Sequence, residues 1–350
     1  VSPPLLSVVV PSRNTRELTL SCLAALEAAA GARPQLAAIE VVVVDDAGDD
    51  GTAEAVAARH PRVRLLRLDR RLGFTGAANR GLAAAAGGVL LLLNSDAEVD
   101  GGGAGLAALL ARFASEPRLG IAGAALRYPD GTPQWSGGGE PSAVWLCALA
   151  SGLPEQLGRL PLYRRLRHPS GTGGRSAAGP SRGGAAAQAT GPGEVAWVTG
   201  AALAIRRTAW EQVGPLDERF QLYAQDLDLC LRARDAGWGV AVLPEFQVIH
   251  HHGATIAAEG GRPLRGGSRG AQHAELLWVD LLRWADKRGG PLAARRAARA
   301  LVAGAILRLL GRRLIAPLLP AAERARFRAE TATFARALAA LRAARTAETC

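Results

Sequence analysis

Val89-Leu90-Leu91-Leu92-Leu93 is an unbroken apolar run that stops abruptly at Asn94-Ser95-Asp96-Ala97-Glu98. With Gly87-Gly88 before it and charge after it, the run predicts a strand buried on both faces, the usual state in a parallel sheet. In open α/β sheets a ligand is met outside the carboxyl ends of the strands, so Asp96 and Glu98 stand where a metal or cofactor would be held. A polar strand exit with two solvated carboxylates accounts for the same letters equally well.

The preceding segments repeat the pattern. Leu5 to Val10 predicts a first strand, closed by Pro11-Ser12-Arg13-Asn14. Leu18, Cys22, Leu23 and Leu26 follow at helical spacing, with Thr15 placed as N-cap. Ile39 to Val44 and Val63 to Leu68 predict two more strands, Thr52 to His60 and Gly73 to Ala86 two more helices. Alternation of this kind predicts an α/β fold with a parallel sheet, right-handed crossovers and helices on both faces. Two strands end in acid, at Asp45-Asp46 and at Asp96 with Glu98. Neither a glycine-rich dinucleotide loop nor a GxxxxGK phosphate loop is present. A diphosphate would then be met through a divalent metal, with magnesium or manganese as the natural bridge.

At 350 residues the chain has room for one large domain or two. Its net charge of +11 rests almost wholly on arginine, Lys287 being the only lysine, and points to an anionic partner. A nucleic-acid binder would interleave aromatics with those arginines; aromatics are only 5% of the chain, so no nucleic-acid partner is expected. Cys22, Cys147, Cys230 and Cys350 form no CxxC pair, which argues against a zinc site or disulfide framework and suits a reducing cytoplasm. The segment VSPPLLSVVVPSRN lacks a basic n-region, and no apolar stretch of spanning length is free of arginine. The expectation is a cytoplasmic protein without signal peptide, soluble or peripheral at the inner face of the membrane.

Further along, Gly101 to Glu116 reads as loop and helix, Ile121 to Leu126 as a strand, and Tyr128 to Thr132 as a turn. Trp135 and Trp145 either line an acceptor groove or sit in the core. Residues 170–193 are rich in glycine, serine and alanine and read as a flexible loop with room for a lid. Leu203 to Arg207 predicts a strand, Val213 to Phe220 a turn-rich link, and a helix beginning near Tyr223 is ended by Gly237-Trp238. Asp226 falls at the first turn, where the helix dipole favours a carboxylate; Asp228 points away from it, so the two have different roles. Val240 to Leu243 and Phe246 to Ile249 extend to His250-His251-His252. Three helical stretches close the chain: Glu275 to Trp284, Leu292 to Ile315 and Glu323 to Arg345. Arg295, Arg296, Arg299, Arg308, Arg312 and Arg313 read as spread around their helix, which favours packing helices with a basic surface over an interfacial amphipath.

The segments VVVPSRN, VVVVDDAGDDGT, LGFTGAANRGLAAAAGG and LLLLNSDAEV resemble the nucleotide-sugar half of family-2 glycosyltransferases, the inverting GT-A group, and most of all its bacterial rhamnosyltransferase-like members. The block from Gly200-Ala201 through VGPLDERF and YAQDLDLCLR to Gly237-Trp238 resembles the family's second conserved block in the same order. The likeness covers roughly residues 5–255. It implies a GT-A-like, Rossmann-type, mostly parallel sheet in residues 1–255, with a nucleotide-sugar half at 1–126 and an acceptor half at 127–255, followed by a helical region at 256–350. By the same likeness Asp226 is the general base, Asp96 the metal ligand and His250 a second one, while His251 and His252 have no such role. Pro11, Ser12, Arg13, Asp45, Asp46, Asn79 and Asn94 would border the nucleotide sugar. The implied reaction is inverting transfer from a nucleoside-diphosphate sugar, deoxythymidine-diphosphate rhamnose first among them, to a hydroxyl of a glycan or lipid-linked acceptor. Two departures stand out: Asn94 replaces the first acid of the D-x-D motif, and Gln225 stands where glutamate is usual. They keep a second reading open, a binding or scaffold protein that retains the fold without catalysis.

Overall fold

The pleat of β4 (Val89–Leu93) sends Leu90 and Leu92 into one apolar core and Val89, Leu91 and Leu93 into another. The same division holds on β1 (Leu6–Ser12) and β2 (Glu40–Asp45), where Val9, Val42 and Val44 face one side and Val8, Val10 and Val43 the other. In this computed structural model, residues 5–153, 193–220, 222–251 and 274–347 are described. Residues 170–192 of the expected loop, and His252, lie outside them.

Eight strands form one sheet. With β3 (Arg64–Arg67), the first four make a parallel half in the order β3-β2-β1-β4. Next to β4 lies β9 (Ala202–Arg206), antiparallel to it and to β6 (Leu119–Arg127). The long β10 (Gly239–His250) runs parallel to β6, and the short β5 (Ala97–Val99) pairs antiparallel with its last residues. The sheet is thus mostly parallel, as expected, with an antiparallel insertion where the chain returns through β9. A separate ribbon joins β7 (Gly137–Gly138) to β8 (Trp197–Val198).

Helices cover both faces. α1 (Arg16–Ala32), α2 (Thr52–Arg59) and α4 (Ala104–Ser115) bury their apolar sides in the second core. α3 (Gly73–Ala84), α5 (Ala143–Ser151), α6 (Arg207–Val213) and α7 (Gln225–Asp235) bury theirs in the first. A side chain at Gly81 would place Cβ 2.3 Å from Val9 Cγ1 and 2.8 Å from Val44 Cγ2, so glycine there sets how closely α3 lies on the sheet. α6 falls at the end of the expected strand Leu203 to Arg207. Arg207 begins it because its guanidinium binds the carbonyls of Ala85 and Gly87. Thr15 does occupy the N-cap position of α1 but makes no capping bond; its hydroxyl joins Ser12, Thr19 and Ser95 in a buried cluster.

The C-terminal stretches become α8 (Ala274–Ile315) and α9 (Ala321–Ala347). α8 breaks at Gly289 and Gly290, the latter at φ 68°, and Pro291 restarts it, which explains the two helical stretches expected from the sequence. Its arginines are spread around the helix, as expected, but not all of them lie at the surface. Arg308 and Arg312 are buried against α9, their guanidinium groups 4.1 Å from the Phe334 ring and 3.8 Å from the Phe327 ring. Arg295, Arg296, Arg299 and Arg313 face outward. Cation–π contacts and an ion pair with Glu330 make two inward arginines tolerable, and helical periodicity alone cannot reveal such partners. No helix among the described residues is long and apolar enough to cross a membrane.

Candidate active site

The carboxyl ends of β1, β2, β4, β6 and β10 and the start of β9 share one edge of the sheet. Ser12 O accepts from Asp46 N at 2.9 Å, and Asn14 Oδ1 accepts from Asp49 N at 2.9 Å, which sews the loop after β1 to the loop after β2. Pro11 is buried in β1, and the Ser12 hydroxyl turns into the protein, 2.8 Å from Thr19 Oγ1. Arg13, half-buried, follows at the rim.

Asp45 and Asp46 end β2 side by side but do different work. Asp46 accepts from Leu72 N at 2.6 Å and Gly73 N at 2.9 Å, so its carboxylate holds the start of α3, where the helix dipole favours it. Asp45 accepts only the longer bond from Gly48 N, 3.2 Å, and burial raises its pKa above the ordinary aspartate value. Asn79 is also engaged by the fold: its amide donates to Leu216 O and Glu218 Oε1 and accepts from Leu216 N.

After β4 the chain turns sharply, Asn94 O accepting from Ala97 N at 3.0 Å. Pairing of β5 with the end of β10 sets His250 opposite Ala97, and His250 Nε2 lies 3.3 Å from Asp96 Oδ1. The far side of the imidazole is fixed. Gln134 Nε2 donates to His250 O at 2.5 Å and to Arg127 O at 3.3 Å, so its Oε1, 3.0 Å from Nδ1, must accept a proton from that nitrogen. In the neutral ring Nε2 then carries the lone pair, directed at Asp96. Glu98, on the next strand position, instead meets Ser21 Oγ at 2.7 Å and His251 Nε2 at 3.2 Å.

Asp226 reaches the same place from the other direction. Its Oδ2 accepts from Gly200 N at 2.8 Å and its Oδ1 from Leu227 N at 2.8 Å. Ala201, next to Gly200, accepts from Asn94 N at 3.0 Å, so one peptide separates the base candidate's anchor from the Asn94-Ser95-Asp96 turn. Burial raises the Asp226 pKa, with the two backbone amides working against it. Ala224, at φ 64°, admits the chain into α7 in a left-handed conformation, strain of the kind that collects at functional sites. Gln225 turns its amide back to Leu222 O at 3.0 Å, and its Oε1 has no hydrogen-bond partner among the described residues. Asp228 pairs with Arg232 and Lys287, each at 2.8 Å, a role separate from that of Asp226.

Four residues at this site carry no sequence signal of their own. Gln134 orients His250. Ser136 O accepts from Thr199 N, aligning the loop that holds Asp226. Asp280, fully buried on α8, accepts from Leu222 N and Tyr223 N just before α7. Lys287 ties α8 to Asp217 and Asp228. Between Gln134 and Ser136, Trp135 is 42% exposed, its ring 5.6 Å from that of Trp145 and 4.8 Å from that of Trp197. Trp135 is thus not a core side chain, and Trp145 is half-buried.

Two glycosyltransferase family models match, glycosyl transferase family 2 over residues 7–174 and glycosyl transferase family group 2 over 181–316. The chain belongs to glycosyltransferase family 2. It is 32% identical over 226 residues to an N-acetylglucosaminyl-diphospho-decaprenol L-rhamnosyltransferase of Mycobacterium tuberculosis, covering 61% of this chain and 66% of that protein. An O-antigen biosynthesis protein of Myxococcus xanthus is 27% identical over 260 residues, 73% of this chain but 18% of that protein. The chain therefore spans slightly less than two-thirds of the first relative and a small part of the second. A mannosyltransferase of Pyrobaculum calidifontis, solved with GDP-mannose and Mn2+, has the same fold, with TM-score 0.52 and 19% identity over 99% of this chain and 88% of that one.

Whether these family-2 residues fit a divalent cation can be tested on the donor set. Among the described residues no three His, Cys, Asp or Glu side chains form a metal cluster. The pair Asp96 and His250 offers one hard oxygen and one imidazole nitrogen, both buried. Asn94 Oδ1 beside them is buried without a hydrogen-bond partner among the described residues. A cation that takes its other ligands from a diphosphate and water suits this set. Cys22 and Cys230 are free thiols whose pKa burial pushes up, so neither offers a thiolate.

Proposed function

We propose that the chain catalyses inverting transfer of a sugar, rhamnose first among candidates, from a nucleoside-diphosphate donor to a hydroxyl of a glycan or lipid-linked acceptor. The observation that carries this reading is the placement of Asp226, a carboxylate of raised pKa whose anchor Gly200 is one peptide from Ala201, the residue bonded to the Asn94-Ser95-Asp96 turn that meets His250. The acceptor hydroxyl oxygen attacks the anomeric carbon as its proton passes to Asp226. The bond from that carbon to the diphosphate oxygen breaks on the opposite face, which inverts the configuration. Positioned proton transfer of this kind contributes roughly 10²–10⁴-fold. A divalent cation held by Asp96 and His250, with Asn94 adding a neutral oxygen, would neutralise the departing diphosphate. Asp45, with the weaker internal bond of the β2 pair, is the better candidate to meet the nucleoside. Asp46 and Asn79 act one step back, by fixing α3 and residues 216–218.

On this reading residues 1–126 hold the donor, 127–255 shape the acceptor side with Trp135 as an exposed ring at its rim, and α8 braces α7 and its approach through Asp280, Lys287 and Arg288. The reaction belongs on the cytoplasmic side, where nucleotide sugars are made. The relative's name suggests N-acetylglucosaminyl diphosphate on a polyprenol as the first acceptor to try. Calorimetry of UDP and dTDP with and without Mn2+ or Mg2+ tests the donor half. Metal-dependent binding that fails in Asp96→Ala supports transfer; a folded protein that binds neither nucleotide is a scaffold.

A further inference from the structure

We infer that the outward face of α8 beyond its kink seats this protein on an anionic phospholipid surface. The kinked helix has two unlike sides. Inward, Gly304 lies so close to α5 that a Cβ would come within 2.3 Å of Cys147 O and 3.0 Å of Ser151 N. Leu301 and Ala305 are fully buried beside it, and Arg308 and Arg312 turn to α5 and α9 carbonyls, aromatic rings and Glu330. That side is finished.

The other side is not. Leu292, Leu307, Leu310 and Leu314 are 60%, 53%, 49% and 77% exposed, with Ile306 at 39%. Their spacing places them on one stripe, since a helix brings positions three, four and seven apart to the same face. The stripe runs roughly 33 Å from Leu292 to Leu314 at 1.5 Å per residue. Exposed Arg295, Arg296 and Arg299 occupy its first half and Arg313 its end. Between Asp286 and Glu323 the sequence has no acidic residue. A water-facing surface helix would mix acids among its arginines and would not leave large aliphatic side chains exposed in a line.

The charge pattern decides the occupant. A second protein copy would bring an equally basic stripe against this one, and repulsion would oppose the pairing. Lipid phosphates complement the arginines while the leucines enter the acyl boundary, the arrangement of helices that lie in the membrane plane. The helix is not a spanning segment. The inference stands apart from the transferase reading, because it needs no donor, metal or catalytic residue.

The test is co-sedimentation of the full chain with vesicles of phosphatidylcholine alone or with 30% phosphatidylglycerol. Binding is expected to rise with the anionic lipid and to fall in high salt. Leu310→Asp with Leu314→Asp should lower partitioning by about tenfold or more, and Arg295→Glu with Arg299→Glu should remove the dependence on anionic lipid. Unchanged melting curves would show that these outward substitutions leave the fold intact. Equal binding of wild type and variants, or no preference for anionic vesicles, would overturn the inference. So would a dimer in light scattering that Leu310→Asp dissociates, since the face would then belong to a second copy. Nucleotide binding measured without vesicles reports separately on the transferase reading.

Discussion

His250 Nε2 lies 3.3 Å from Asp96 Oδ1, and Gln134 sets which nitrogen of that ring bears the proton. Both Gln134 donor bonds run to carbonyls, so its oxygen can only accept from Nδ1. Partners that orient a ligating histidine are typically worth about 10–100-fold in metal affinity. Gln134→Ala is therefore predicted to weaken Mn2+-dependent dTDP or UDP binding by about that factor and to leave metal-free binding unchanged, as read by calorimetry. Equal affinities in both proteins would remove Gln134 from the site.

Asp226→Asn should lower kcat/KM by roughly 10²–10⁴-fold while nucleotide affinity is kept. Burial raises the Asp226 pKa, and only the ionised form accepts a proton. Activity should therefore fall as pH drops through a value above the ordinary aspartate pKa of about 3.9. For stability the sign is opposite: a raised native pKa favours the fold at low pH, and this contribution is lost as pH rises through that value. A rate profile flat down to the ordinary carboxylate range would argue against Asp226 as base.

Trp135→Ala should raise KM for acceptor and leave donor binding alone, because the exposed ring sits between Gln134 and Ser136, whose bonds lead to His250 and to the Asp226 loop. Sugars stack on such faces by apolar contact, so Trp135→Phe should recover most of the loss. Initial-rate kinetics at saturating donor would decide it; an effect on kcat alone would point to a structural role.

Lys287→Met removes the cation shared by Asp217 and Asp228. A loss of about 1–3 kcal/mol is expected in denaturant unfolding near neutral pH. The Asp217 pKa is held low by Arg219 first and Lys287 next. Its stabilisation is present above the unfolded-state pKa and lost as pH falls through the lower native value. The gap between wild type and variant should narrow in acid; a constant gap would mean that Lys287 acts by some other contact.

Gly304→Ala should destabilise by about 1–3 kcal/mol, the usual cost of forcing a methyl group into a filled space. The obstacle is backbone, Cys147 O and Ser151 N on α5, which cannot rotate away. A melting temperature equal to wild type would mean that α5 and α8 are less closely apposed than this.

The parallel half of the fold was legible residue by residue: β1, β2 and β4 are continuous apolar runs because they are buried on both faces, and each is followed by polar residues at one edge of the sheet. The order of motifs likewise pointed to Asp96, Asp226 and His250 and to the family. Other site features were not legible. Asp46 and Asn79 have the letters of binding residues, yet their hydrogen bonds close within the fold. Gln134 and Asp280 have the letters of ordinary surface residues, yet they hold His250 and the approach to α7. The spread of arginines around α8 was legible, but the burial of Arg308 and Arg312 against Phe327, Phe334 and Glu330 was not. Apolar periodicity is local, so the sequence by itself determines strands, helices and their buried faces. Which polar group meets which depends on partners as many as 159 residues away, as between Arg308 and Leu149, and only the tertiary structure brings them together.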